Sequence, residues 1–119
     1  MREPVPMLKS HVQEFLIKHD CPMEYTGFNV LVDVLCEACE SLSEVRTNLK
    51  SIYISVEQKY KMTRLNIERN LRTLIEKWEP EKKFKDLFKE TPTNAKLIVT
   101  LAHKVQRPNS SVYDIYMMP

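Results

Sequence analysis

The sequence predicts an all-helical domain, and three observations support this expectation. Apolar residues recur at the spacing of one face of an α-helix, and alternating strand-like runs are missing. The 119 residues include one glycine only. With 43% hydrophobic residues, a chain of this length can bury one core but not two. We therefore expect a single domain over residues 1–119, with a globular part at about 7–107 and a tail at 108–119.

The first three helices follow from apolar spacing and from the breaks between the stripes. The first is predicted at about Met7–His19 and is stopped by the turn around Pro22. The second, "FNVLVDVLCEACESL", has so broad an apolar face that we expect it at the centre of the core. The third begins near Ser43 and ends near Tyr60.

The remaining helices are marked by caps and prolines. After a break at Lys61–Met62, Thr63 is placed to cap a fourth helix that ends near Trp78. A short fifth helix, "FKDLFK", follows the break at Pro80. The sixth lies within "TPTNAKLIVTLAHKV" and is predicted to end before Pro108. The tail, "RPNSSVYDIYMMP", has no helical period, and its tyrosines and methionines are candidates for docking onto the body or onto a second copy.

The fourth helix divides into two faces when its residues are placed at intervals of about 100°. The stripe predicted to be buried comprises Ile67, Leu71, Leu74, Ile75 and Trp78. Arg69 points almost directly away from this stripe. Asn66 and Thr73 lie on one side of Arg69, and Arg72 lies on the other. In one interpretation this is an ordinary solvated face, on which a Glu68–Arg72 pair adds a few tenths of a kcal/mol.

In the alternative interpretation, the fourth helix reads DNA. Arginine, asparagine and glutamate pair with guanine, adenine and cytosine in the major groove, and a helix and a tight turn come immediately before, as in a helix-turn-helix. The segment 13–57 carries eight acidic and three basic residues, a net −5, whereas the segment 59–77 carries six basic and two acidic residues, a net +4. One basic segment in a chain of net charge +2 suits a localised anionic partner.

Three stretches of the chain carry a family pattern. "CPMEYTGFNVL" has a proline, a glycine-aromatic pair and a leucine. "IERNLRTLIE" resembles the pattern V-E-R-x-I-R-x-x-I-E, and "PTNAKLIVTLAHKV" resembles P-T-N-x-x-F-I. In this order, over about Val12 to Val105, they resemble the C-terminal DNA-binding domain of the stage 0 sporulation protein A family, the master response regulators of sporulation in bacteria. The resemblance implies a compact bundle of six helices, a winged-helix-like effector domain without a sheet, whose recognition helix (about 63–78) enters the major groove of double-stranded DNA.

The resemblance also implies site residues and partners. Glu68 and Arg69 match residues that contact bases, and Arg72 matches a residue that contacts the DNA backbone. With the exposed face, this predicts base contacts from Asn66, Glu68 and Arg69. The predicted backbone contacts are Lys59, Lys61, Thr63, Arg64, Arg72, Thr73 and Lys104. The family binds tandem boxes as a homodimer and contacts the RNA polymerase sigma factor, and we expect both of this chain.

Departures from the family pattern keep a second hypothesis open. Asn66 stands where the family has an arginine, Glu57 stands where it has a small alanine, and the region 79–91, which in the family faces the sigma factor, is several residues shorter. The 119 residues contain no phosphoacceptor receiver domain, so the chain is either cut from a longer regulator or a stand-alone protein. In the second hypothesis, a stand-alone degenerate domain binds a protein partner, such as the full-length regulator, rather than DNA.

Other functional classes find little support in the sequence. Cys36 and Cys39, in "CEAC", have only Cys21 and His19 nearby, and a helix-borne pair beside an apolar stripe is typical of packing rather than of a metal site. The histidines have no partnered nucleophile, and one glycine cannot form a phosphate-binding loop. We expect no enzyme activity, cofactor, metal or membrane span, and a cytoplasmic, nucleoid-associated protein.

Overall fold

The computed structural model describes the backbone of residues 5–117 and the side chains of residues 7–105, except that of residue 46. It confirms the all-helical fold, with six helices and, within the described backbone, no strand. The helices are α1 (Val5–Lys18), α2 (Thr26–Glu40), α3 (Val45–Tyr60), α4 (Arg64–Trp78), α5 (Lys82–Leu87) and α6 (Asn94–Met117), with a 3-10 turn at Leu42–Glu44 before α3. None of them, over the same range, combines the length and the apolar composition that a membrane span requires.

The end of the sixth helix was predicted wrongly. α6 continues to Met117, past Pro108, where the sequence predicted an end and a tail without helical structure. A proline within a helix removes one main-chain hydrogen bond, but the neighbouring turns can continue the helix on either side. The predicted docking of the tail's tyrosines and methionines concerns side chains outside the described residues.

α2 lies at the centre of the core, as its broad apolar face predicts. Nine of its fifteen residues are buried, and it packs against α1, α3, α4 and α6. The largest fully buried side chains come from α1, α2, α4, α5 and α6: Trp78, Phe84, Leu16, Leu31, Leu35, Ile67, Leu71, Leu74, Ile75, Leu97, Ile98 and Leu101. Burying each leucine, isoleucine or phenylalanine contributes about 1.5–3 kcal/mol, so the packing around α2 is the main source of stability.

The only glycine of the chain sits where α2 crosses α4. A Cβ atom added to Gly27 would overlap the main-chain oxygen of Asn70 and lie 3.0 Å from the Cβ of Leu74. The two helix backbones can approach this closely only because Gly27 has no side chain. This contact fixes the distance of α4 from the core.

The far end of α4 is fixed by Trp78. Its indole Nε1 donates a hydrogen bond to the main-chain oxygen of His19 at 2.8 Å, just beyond the end of α1. The Trp78 ring also meets Phe84 of α5 edge-on, with 4.9 Å between ring centroids. α4 is therefore held at its middle by α2 and at its end by α1 and α5.

We predict that Gly27→Ala lowers the free energy of unfolding by about 1–3 kcal/mol, because the added methyl meets the Asn70 backbone, which cannot move aside as a flexible side chain can. Urea denaturation followed by circular dichroism measures the loss. Asn29→Ala, at an exposed position of the same helix, is the matched control and should change stability by less than about 0.5 kcal/mol. Equal stability of the two variants would contradict close backbone packing at Gly27.

Candidate nucleic-acid interface

A short turn joins α3 to α4, as the predicted helix-turn-helix requires. α3 ends at Tyr60 and is followed by Lys61, whose backbone is left-handed (φ 54°, ψ 42°), and the Met62 N–H donates to the Glu57 carbonyl at 3.1 Å. The side-chain oxygen of Thr63 accepts from the Asn66 N–H at 3.2 Å, which confirms the predicted cap of the new helix. A three-residue connection, Lys61, Met62 and Thr63, thus joins the two helices, and the first turn of α4 is exposed to solvent.

The buried face of α4 is the one that the sequence predicts. Its buried residues are Ile67, Leu71, Leu74, Ile75 and Trp78. Asn66, Arg69 and Thr73, on the opposite side, are exposed. Among the described residues, Arg69 has no ion-pair partner, so its guanidinium is available to an external group. The exposed face is also polar apart from one large apolar residue, Leu65, which the sequence analysis did not single out.

Glu68 is engaged by Arg64 rather than by Arg72. The Arg64 Nε lies 3.5 Å from a carboxylate oxygen of Glu68. The Arg64 guanidinium also stacks on the ring of Tyr53 in α3, with its Cζ 4.6 Å from the ring centroid. The Glu68 carboxylate therefore lies at the start of α4, beside a cation that α3 holds in place, and the solvated Glu68–Arg72 pair of the first interpretation is not formed.

Arg72 reaches across to the segment that leads into α6. Its Nη1 donates to the Pro92 carbonyl at 3.4 Å, and the side chain is half-buried. The Asn94 side-chain amide donates to the main-chain oxygen of Glu68 at 3.1 Å. These two contacts join the start of α6 to the middle of α4. Arg72 thus contributes to the structure of the domain besides presenting a positive charge beside Arg69.

Lys59 is paired with a buried carboxylate. Its Nζ lies 2.8 Å from one oxygen of Asp33, whose side chain is only 11% exposed, and the Tyr60 hydroxyl donates to the other oxygen. Burial and the hydrogen bond to Asp33 raise the pKa of Tyr60. The sequence analysis missed Asp33, although a single acidic residue within the apolar run "VLVDVL" was the available signal. Pairing reduces the positive charge that Lys59 presents to solvent.

The remaining predicted cations differ in their setting. Lys61 is exposed on the turn before α4. Lys104 is half-buried on α6, ten residues beyond Asn94 and so about 15 Å further along the helix axis. The predicted site residues near Arg69 therefore lie on α4 and its preceding turn, whereas Lys104 lies on α6, about 15 Å along the helix from Asn94, which contacts α4.

Comparison with models of known protein families identifies the family of this chain. Residues 12–105 match the family model described as the sporulation initiation factor Spo0A C terminal. The chain belongs to this family. The match confirms the resemblance found in the three sequence stretches, and it covers every helix of the core in whole or in part. Curated protein sequences give no match to the chain.

Membership of the Spo0A C-terminal family establishes the general function. The family is a DNA-binding effector domain of transcription regulators and is not enzymatic, in agreement with the sequence analysis. Helix-turn-helix proteins in general contact DNA through the second helix of the motif, and α4 occupies that position in this chain. The exposed face of α4 is thus the candidate DNA-binding surface.

The three cysteines of this Spo0A-type domain are free thiols that are wholly or partly buried. Cys21 is buried, Cys36 and Cys39 are half-buried, and none of them forms a disulfide. Within the described side chains, no group of three or more histidine, cysteine or acidic residues could hold a metal ion. Burial raises the pKa of Cys21, and burial, with the negative charge of Asp33, raises the pKa of Cys36 to about 11. Thiolates are the reactive form, so both thiols are chemically protected in the folded domain.

We predict that Cys21 and Cys36 in the folded protein resist alkylation by iodoacetamide at pH 8. The Cys36 rate should rise as the pH approaches 11, whereas Cys21 should react only when the protein unfolds. Mass spectrometry of peptides from time points measures each site separately. The same protein unfolded in urea is the control, in which both thiols ionise near a pKa of about 8.5 and react readily. Equal rates in the folded and unfolded protein would refute burial of these thiols.

Proposed function

We propose that this domain is a sequence-specific transcription regulator of the sporulation-initiation type, which inserts α4 into the major groove of double-stranded DNA. The observation that carries the proposal is the exposed face of α4, directly opposite a fully buried apolar stripe. Arg69 lies at the centre of this face and has no ion-pair partner among the side chains that the structure describes. A recognition helix requires this arrangement, because one side must be held rigidly by the core while the other meets base edges.

Base reading is assigned to three residues near the start of α4. Arg69 pairs bidentately with a guanine, and Asn66 pairs with an adenine. Glu68 accepts from a cytosine amino group. In the free domain the Glu68 carboxylate lies beside Arg64 at 3.5 Å, and this contact orients it before DNA is bound. Preorganisation of this kind lowers the entropy lost on binding.

Phosphate contacts are assigned to the residues around the base-reading set. They are Lys59, Lys61, Thr63, Arg64, Arg72, Thr73 and Lys104. Lys61 lies on the exposed turn that precedes the recognition helix, and Arg64 has guanidinium N–H groups besides the Nε that faces Glu68. Lys104 is the most distant member along the chain. A homodimer on tandem sites, contact with the RNA polymerase sigma factor and a cytoplasmic, nucleoid-associated location complete the proposal.

We predict that Arg69→Ala weakens binding to the preferred duplex by about 1–3 kcal/mol and relaxes the choice of base at one position. Arg69→Lys keeps the positive charge but loses the planar guanidinium group that pairs bidentately with guanine. Compared with Arg69→Ala, it should therefore bind random DNA more tightly but should not regain the choice of base. Lys77→Ala, at an exposed position near the end of the same helix, is the control for loss of one positive charge. Gel shift against duplexes selected from a random pool provides the measurement. Unchanged affinity and specificity in Arg69→Ala would remove Arg69 from the base-reading set.

Lys61 and Lys59 form a matched pair of predicted phosphate contacts. Lys61→Ala should weaken binding to all sequences alike and reduce the salt slope of log K by about one. Lys59→Ala should reduce the slope by less, because Asp33 already neutralises the Lys59 charge in the folded domain. Fluorescence anisotropy over a salt series measures both slopes. A larger change in Lys59→Ala than in Lys61→Ala would show that the Asp33 pairing does not persist on DNA.

A second candidate function keeps the fold but replaces DNA by a protein partner, such as the full-length regulator. Two pairings favour it, since the positive charges of Lys59 and Arg64 are partly offset by Asp33 and Glu68. A salt series of gel shifts separates the two functions. A stable complex with the full-length regulator, together with no salt-dependent shift of any duplex, would favour the protein-binding function.

A further inference from the structure

Leu65 occupies an unusual place for an exposed leucine. It is 59% exposed and lies in the first turn of α4, on the face that points away from the core. Isolated exposed leucines are common on protein surfaces, so exposure alone says little. Here, however, the side chain stands within the small group of residues that face outward from the start of a recognition helix, where DNA-binding domains contact base edges.

The helix geometry puts Leu65 in line with Arg69. At about 100° per residue, Arg69 is rotated by about 40° from Leu65, and Arg72 is rotated by about 20° in the other direction. The rise of about 1.5 Å per residue separates Leu65 from Arg69 by about 6 Å along the axis, or between one and two base-pair steps of about 3.4 Å. The two side chains therefore face the same groove one turn apart.

The neighbouring long side chain is drawn away from Leu65. The Arg64 guanidinium stacks on Tyr53 of α3 and lies beside Glu68, which keeps it on the α3 side of the helix. Thr63, which caps the helix, directs its side-chain oxygen to the Asn66 N–H. No described side chain of this turn covers Leu65, so its methyl groups remain available to a bound ligand.

We propose that Leu65 is a specificity-determining residue that recognises the 5-methyl group of a thymine in the major groove, within one or two base pairs of the base read by Arg69. The inference rests on the proposed function and deepens it. The thymine methyl is the apolar group that the four bases present in the major groove, whereas the remaining edge groups are hydrogen-bond donors and acceptors. A leucine over those polar groups would leave them without partners, so other bases are disfavoured at this position.

The test replaces each thymine of the selected duplex by deoxyuridine, one position at a time, which removes only the methyl group. For the wild-type domain we expect affinity to fall by about fourfold at one position, the effect of one buried methyl-sized group. Leu65→Ala should bind the thymine duplex more weakly by at least the same factor. It should also show no difference between thymine and uracil at that position.

Ile54→Ala is the matched control, since Ile54 is an exposed apolar residue on α3 (45% exposed) and not on the recognition helix. Ile54→Ala should lose affinity at the same thymine position, and by the same factor, as the wild-type domain. Two outcomes would overturn the role of Leu65 while leaving the proposed function standing. In the first, the wild-type domain binds specifically but loses no affinity when any thymine is replaced by deoxyuridine. In the second, Leu65→Ala loses affinity at the same thymine as the wild type. Absence of sequence-specific binding to any duplex would overturn the proposed function and this role with it.

Discussion

The close crossing of α2 and α4 at Gly27 is the constraint on which the rest of the domain depends. Because Gly27 allows the two helix backbones to approach closely, the apolar stripe of α4 is fully buried in the core. The close packing around this stripe prevents the helix from rotating about its own axis. The Trp78 hydrogen bond to His19 holds the C-terminal end of α4. A helix held at its middle and at one end presents one fixed face to solvent, and a fixed face is what allows side chains to be matched to particular bases rather than to charge in general.

Charge pairing within the domain divides its basic segment into two groups. Lys59 and Arg64 are held by carboxylates of Asp33 and Glu68, whereas Arg69 has no ionic partner among the described side chains. Paired cations contribute less to the long-range attraction of a polyanion, while an unpaired arginine keeps its full capacity for directed hydrogen bonds. The net charge of +2 agrees with such a division, because a domain with modest general attraction depends more on its specific contacts.

The sequence predicted those features that repeat along a single helix and missed those that depend on neighbours distant in the chain. The five buried residues of α4 were predicted from the spacing of its apolar residues. The Thr63 cap was predictable because it depends on a hydrogen bond between residues close together in the chain. The ion-pair partner of Glu68 was not predictable, because Arg64 and Arg72 are both four residues away from it. Arg64 is positioned by stacking on Tyr53 of α3, and Arg72 is turned away by its hydrogen bond to the Pro92 carbonyl. The end of α6 was missed because a proline weakens a helix locally without always ending it.

The left-handed backbone conformation of Lys61 lowers the stability of the fold but places a positive charge beside α4. A residue with a side chain loses roughly 1–2 kcal/mol in this conformation, a loss that glycine would largely avoid. Keeping a lysine there places a mobile ammonium group at the corner where the chain turns into α4. A variant with glycine at this position would therefore resist heat better, but the candidate DNA-binding surface would lose one positive charge.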